Sequence, residues 1–177
     1  VITEKEITSS QQGDREAFIK VIQSIEQALY NTARSIVKKE EDVADALQET
    51  ILKAYKSIST LREPAYFKTW IFRILINECN TLLSKRNRNV AVADFPDVGA
   101  SSQSYEQVEL REAVDQLEPQ QRIVIVLHYF QDLPLKQIAD MLDLSEGAVK
   151  TRLYRARNSL LQELQPIKKG SVNYEPL

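Results

Sequence analysis

Apolar residues recur at every third or fourth position through most of this chain, and strand-like alternation is nearly absent. Stripes with that period can be buried only by packing helix against helix. Just 4 glycines and 6 prolines punctuate 177 residues, which favours helices over a turn-rich β fold. Asp14 is placed to cap a helix running to about Val37, with Phe18, Ile22, Ile25, Leu29, Ala33 and Ile36 on one face. A second helix follows the acidic start Glu40–Asp42 and runs to about Ile58. A third spans about Tyr66 to Arg88. The stretch NVAVADFPDVGASSQSYEQ then breaks the period with small, polar and turn-forming residues. Residues 90–108 are therefore expected to be a flexible linker. Four further helices are expected over 108–116, 119–130, 134–142 and 146–164. The expected fold is all-α: two small helical domains, residues 1–89 and 109–165, with an irregular tail over 166–177.

Hydrophobic residues make up 43% and charged residues 27%, enough for a packed core. The net charge of −2 excludes a general nucleic-acid-coating protein, but local patches oppose that total. From Asp94 to Glu118 seven acids face the single base Arg111, so the linker is acidic. Lys85, Arg86 and Arg88 precede it, and Lys150, Arg152, Arg155, Arg157, Lys168 and Lys169 follow it. One cysteine, Cys79, cannot form an internal disulfide, which fits a reducing compartment. With no long apolar run and no signal-peptide pattern, a cytoplasmic protein without membrane insertion is expected.

The stretch 134–164 has the character of a helix-turn-helix. Leu135, Ile138, Ala139 and Leu142 form one helical face. Asp143-Leu144-Ser145 is a short break, and Ser145 is a good N-cap with Glu146 favourably placed at the helix dipole. Wrapped at about 100° per residue, Val149, Leu153, Ala156, Leu160 and Leu164 share a core face. Thr151, Tyr154, Arg155 and Asn158 point the other way, flanked by Lys150, Arg152 and Arg157. That layout suits a recognition helix, whose side chains reach base edges while flanking cations fix phosphates. Gly147 would allow close approach to a DNA backbone. A solvated basic face on an ordinary surface helix is the plain alternative.

The helix DVADALQETILKAYKSI puts Val43, Leu47, Ile51, Ala54 and Ile58 on a core face, while Asp45, Gln48, Glu49 and Leu52 point outward. An outward leucine ringed by carboxylates and an amide suits a basic protein partner. It also suits a solvated face with one stray leucine. The helix YFKTWIFRILINECNTLLSKRNR is broadly apolar, and Trp70, Arg73, Asn77, Asn80 and Thr81 occupy the rest. Aromatic faces stack on splayed bases and amides pair with their edges, with Lys85, Arg86 and Arg88 available for phosphates. Trp70 taken singly is more readily core than a stacking platform.

These segments carry a resemblance. LEPQQRIVIVLHYFQDLPLKQIADMLDLSEGAVKTRLYRARNSL resembles region 4 of bacterial RNA polymerase sigma factors, and LSEGAVKTRLYRAR is especially close to the extracytoplasmic-function (ECF) group. DVADALQETILKAY is similar to region 2.2, where Asp42, Asp45, Gln48 and Glu49 match D-A-E-D-L-V-Q-E; Ala44 stands where an acid is frequent. FKTWIFRILIN is similar to regions 2.3 and 2.4, with Phe67, Thr69, Trp70, Arg73, Ile74 and Asn77 matching in order; Thr81 stands where aspartate is usual. The resemblance covers about residues 14–165. It implies an alternative sigma factor that binds core RNA polymerase and directs promoter-specific initiation. Asp42, Asp45, Gln48, Glu49 and Leu52 would dock on the β′ clamp, and the carboxy-terminal domain would touch the β flap. Lys68, Trp70, Arg73, Asn77, Asn80, Thr81, Lys85, Arg86 and Arg88 would melt and hold the downstream (−10) promoter element. The loop SISTLREPAY would capture a flipped base. Ser145, Glu146, Gly147, Lys150, Thr151, Arg152, Tyr154, Arg155 and Arg157 would read the upstream (−35) element. An anti-sigma factor is an implied partner.

No catalytic set, cofactor motif or metal motif is present in the sequence, so an enzyme is not expected. His128, the only histidine, lies in the apolar run RIVIVLHYF, and Cys79 lies on an apolar helix face; both are expected to be structural. The carboxylates of 40–49 lack the loop spacing and turn glycine of an EF-hand. Two rival functions fit parts of the pattern. A stand-alone helix-turn-helix regulator would grip duplex DNA without polymerase. A sigma-like decoy for an anti-sigma factor would need no base-reading residues.

Overall fold

Thr3 and Glu6 start the first helix by bonding each other: Glu6 N–H donates to Thr3 Oγ1 (3.3 Å) and Thr3 N–H to Glu6 Oε2 (3.0 Å). The structure, a computed structural model, describes residues 2–88 and 105–164. Its helices are α1 (Glu4–Gln11), α2 (Arg15–Val37), α3 (Glu40–Ser57), α4 (Phe67–Arg88), α5 (Tyr105–Gln116), α6 (Pro119–Ile125), α7 (Leu135–Leu142) and α8 (Glu146–Glu163). Short 3-10 turns at Ile58–Thr60 and Pro64–Tyr66 join α3 to α4, and α6 widens into a π-turn over Val126–Phe130. No strand occurs among the described residues.

Helix α1 has no counterpart in the expected elements. It packs its buried Ile7 against α2. Helix α2 begins where expected, with Asp14 Oδ1 accepting from Ala17 N–H at 3.1 Å. Helix α5 starts at Tyr105, earlier than the expected 108, so residues 105–108 of the expected linker are helical. The rest of that linker and the tail beyond Leu164 lie outside the described residues.

Helices α2, α3 and α4 pack on one another around Val21, Leu29, Val43, Phe67, Ile71, Phe72 and Leu75. The buried face of α3 is turned from the expected one: Ala46 and Thr50 are fully buried, while Leu47 and Ile51 are only partly covered. Thr50 is accommodated because its hydroxyl donates to the Ala46 carbonyl (2.6 Å). Helices α6, α7 and α8 enclose Val124, Leu127, Ile138, Val149, Leu153 and Ala156. Leu164, expected in that core, is 41% exposed, because the helix runs past the end of its neighbours. The two helix groups also meet, α6 against α2 and α7 against α4, so their cores join.

Candidate functional site

Three outward faces carry the residues that the sequence singled out. The first lies on α3. Asp45, Gln48 and Glu49 are exposed, and Leu52 is 44% exposed, so the carboxylates and the leucine do form one open surface. Asp42 sits at its edge, half-buried, and Arg86 Nη1 of α4 approaches its Oδ2 at 3.5 Å. The structure thus joins a residue expected at the polymerase to one expected at DNA. Lys53 and Glu78 form a second α3–α4 ion pair that sequence reasoning missed. Neither pair follows a local spacing, since α3 and α4 are brought together only by packing.

The second face is α4. Asn77, Asn80, Thr81, Ser84 and Lys85 line an open depression. Asp45, Gln48, Glu49 and Lys53 form the opposite wall of an adjoining groove with Glu78 and Lys85. Thr81 Oγ1 donates to the Asn77 carbonyl at 2.9 Å, which leaves the Asn77 amide free of that bond. Trp70 is partly buried against Phe67, with ring centroids 5.9 Å apart, so it belongs to the core edge more than to an open platform. Lys68 and Arg73 point toward the other helix group: Lys68 Nζ donates to the Gln131 carbonyl, and Arg73 lies 3.5 Å from Asp143. Arg88 is the last residue of α4, and its side chain lies outside the description.

The third face is α8. The turn before it is a Schellman closure: Asp143 adopts a left-handed conformation (φ 54°, ψ 46°), and Leu144 N–H donates to the Ala139 carbonyl at 2.9 Å. Ser145 Oγ then accepts from Ala148 N–H at 3.1 Å and opens α8. Val149, Leu153 and Ala156 are buried, so Glu146, Gly147, Lys150, Thr151, Tyr154, Arg155 and Arg157 are left on the exposed side, with Arg152 half-covered. Tyr154 is 61% exposed. A Cβ at Gly147 would meet only Ser145 Oγ, at 3.9 Å, so nothing inside the fold requires glycine there. Tyr129 and Phe130, both about half exposed, extend this face, and Arg157 Nη1 reaches Tyr129 Oη at 3.4 Å. Their apolar sequence context hid them, because the π-turn rotates them out of the α6 stripe.

Titratable groups away from these faces are structural. His128 Nδ1 is 3.0 Å from the Leu133 carbonyl, and a carbonyl only accepts, so that nitrogen carries the proton. Cys79 is buried, and burial with the nearby Glu78 charge pushes its thiol up to about 12. Arg122 is 2% exposed: Nε donates to the Ser35 carbonyl (2.6 Å) and Nη1 to those of Asp115 (2.8 Å) and Leu117 (3.1 Å). Burial lowers its pKa, partly offset by the Asp115 charge. No described helix is long and apolar enough to cross a membrane.

Residues 21–89 match the family model for sigma-70 region 2, and residues 107–160 match that for sigma-70 region 4. The chain is 36% identical over 134 residues to the RNA polymerase sigma factor SigV of Bacillus subtilis, covering 73% of this chain and 80% of SigV. It is 30% identical over 161 residues to the ECF RNA polymerase sigma factor SigM of Mycobacterium tuberculosis, covering 89% and 82% of the two chains. Among solved structures it resembles the sigma factor RpoE of Bartonella quintana, seen with the anti-sigma factor NepR, at a TM-score of 0.73 and 25% identity over 85% of this chain and 98% of that one. It also resembles CnrH, seen with the cytosolic domain of CnrY, at a TM-score of 0.68 and 26% identity over 92% and 96%. With both regions in order and an ECF relative along most of its length, the chain belongs to the ECF family of RNA polymerase sigma factors, alternative initiation factors of bacterial transcription.

Proposed function

We propose that this sigma factor divides its work among the three faces. The α3 surface of Asp42, Asp45, Gln48, Glu49 and Leu52 docks on the β′ clamp of core polymerase, its carboxylates meeting basic side chains while Leu52 is covered. Helix α4, with Asn77 central and Asn80, Thr81, Lys85, Arg86 and Arg88 along it, holds the opened −10 element. Lys68, Trp70 and Arg73 extend that surface at its start. Helix α8 enters the major groove of the −35 element through Lys150, Thr151, Tyr154 and Arg155, with Arg152 and Arg157 on phosphates. Ser145, Glu146 and Gly147 set the approach of its N-terminus. Residues 109–165 also touch the β flap. The work takes place in the cytoplasm and includes no catalysis by this chain. An anti-sigma factor holds the protein inactive, a reading supported by its likeness to RpoE and CnrH, each solved with such a partner or a cytosolic one.

The observation that carries this reading is the sorting of α8. Its apolar residues are buried on one side, and a basic, aromatic and hydroxyl set is exposed on the other, behind a helix-turn-helix break. Run-off transcription with purified core polymerase tests it. Promoter-specific transcripts are expected only with both proteins present. Arg155→Ala and Asn77→Ala should each lower initiation by the value of a good base contact, about 1–3 kcal/mol. Tight duplex binding by the chain alone, unchanged by adding core polymerase, would support a stand-alone regulator instead.

A further inference from the structure

Helix α1 belongs to none of the three faces, yet it lies against both 3-10 turns of the 58–66 loop. Its last residue, Gln11, donates from Nε2 to the Leu61 carbonyl at 2.5 Å. Among the described residues, this is the one hydrogen bond that ties the loop to anything beyond the two helices it joins. The loop's other bonds are local: Leu61 N–H to the Ile58 carbonyl (3.1 Å), Tyr66 N–H to the Glu63 carbonyl (3.0 Å) and Thr60 Oγ1 to the Ser57 carbonyl (2.6 Å). We infer that Gln11 is a positioning residue for promoter opening: from a fixed α1–α2 corner it holds the 58–66 loop in the shape that receives a flipped base of the −10 element. The inference rests on the −10 reading of α4 and of the loop that leads into it.

The corner that carries Gln11 is fixed from several sides. Gly13 takes φ 94°, a left-handed conformation that a side chain would strain. Gly13 N–H donates to the Ser10 carbonyl and Asp14 N–H to the Ser9 carbonyl, both at 3.1 Å, which closes a Schellman motif. Asp14 then caps α2 without any intervening residue. On the inner side of α1, Ile2 and Ile7 pack on the core. Helix α1 therefore presents the Gln11 amide at one place beside Leu61.

The loop needs that support. Taking a base out of the stack costs free energy, which the receiving site must return. A loop that is ordered only on capture loses part of that return as backbone entropy. Arg62 and Tyr66 are exposed here, so a cation and an aromatic face stand open beside the start of α4. Their backbone is anchored at its ends by the buried side chains of Ile58 and Phe67. The Leu61 carbonyl lies between those anchors. A hydrogen bond there divides the span into two shorter pieces, each with less freedom to lose.

Holoenzyme assembled from the full chain and core polymerase tests this, on promoter duplexes with single abasic positions along the non-template strand of the −10 element. Wild type should lose most open complex at one of them, the position of the captured base. Gln11→Ala removes the donor; Gln11→Glu keeps the shape but sets a carboxylate oxygen against a carbonyl. Each should lower open-complex formation on the intact promoter roughly fivefold, the value of one hydrogen bond. On the promoter abasic at the captured position both should match wild type, because the loop then has no base to hold. In the free protein, hydrogen exchange at the Leu61 and Tyr66 amides should quicken roughly fivefold in both variants, while amides in the middle of α4 keep their rates. Full activity of both variants on the intact promoter overturns the proposal. So does a defect of equal size on intact and abasic promoters, which marks general damage, and so does unchanged exchange at Leu61. If wild type is indifferent to every abasic position, the base-capturing reading of the loop is what fails, and the exchange rates alone decide whether Gln11 braces it.

Discussion

Cys79 shows how a single side chain reports on the core. It faces inward from α4 with no exposed surface, and burial holds its thiol near 12. An unfolded cysteine titrates near 8.5. The folded state thus prefers the neutral thiol, and that preference is fully present below about pH 8.5. It fades as pH rises toward 12, where the buried thiolate forms, by an amount on the order of 5 kcal/mol. Native protein at pH 7.5 should resist iodoacetamide and react only on unfolding. Urea melts should show the stability gap between wild type and Cys79→Ala shrinking steadily from pH 9 to pH 12; a constant gap would mean the thiol is not desolvated. The sequence made this residue legible, because it falls on an unbroken apolar face. It could not show Arg122, whose charge suggests a surface position. Only the convergence of three carbonyls from α2, α5 and the α5–α6 turn makes its burial tolerable. Gln131 is likewise a polar residue hidden in the fold, 5% exposed, and its main-chain carbonyl accepts from Lys68.

Among the elements, α8 bears the clearest local signals, and two substitutions at its start separate folding from function. Ser145→Ala removes the hydroxyl that caps Ala148 N–H and should cost about 1 kcal/mol in urea unfolding, with Ser145→Asp restoring most of it. Gly147→Ala should act oppositely on the fold: the added methyl finds open space, and alanine is favoured over glycine in a helix by about 0.5–1 kcal/mol. If α8 enters the groove as proposed, the same methyl should weaken −35 binding despite the firmer helix, measured by run-off from a promoter with an intact −35 element. A variant that is both more stable and fully active would remove Gly147 from the interface. Caps and stripes of this kind account for the elements that the sequence revealed. Thr3 and Glu6 carried the same kind of signal for α1, in the spacing of a capping box. The π-turn at Val126–Phe130 had none, since its geometry answers to packing between α6 and α7. The turned face of α3 was hidden for a related reason. Thr50 counts as polar in a periodicity reading until its hydroxyl is seen to bond back to Ala46.

At the scale of the molecule, the joining of two helix groups is what periodicity could least convey, because it depends on which surfaces meet after each group has folded. The joint has a measurable signature. Trp70, the only tryptophan, sits on α4 beside Phe67 and reports on the amino-terminal group, whereas circular dichroism reports on every helix. With cores that meet and polar seams on both sides, the wild-type chain should lose fluorescence and helicity together in one urea transition. Arg122→Lys keeps the charge but cannot reach three carbonyls with one ammonium. It should cost about 1–3 kcal/mol, the value of a charge-assisted hydrogen bond left unmade. The loss falls on the carboxy-terminal group, which holds two of the three acceptors, and on its tie to Ser35. Helicity in this variant should therefore fall at lower urea than Trp70 fluorescence, splitting the transition in two. Coincident curves at a lower midpoint would show instead that the groups stand or fall as one body, with Arg122 a general support and not the joint between them.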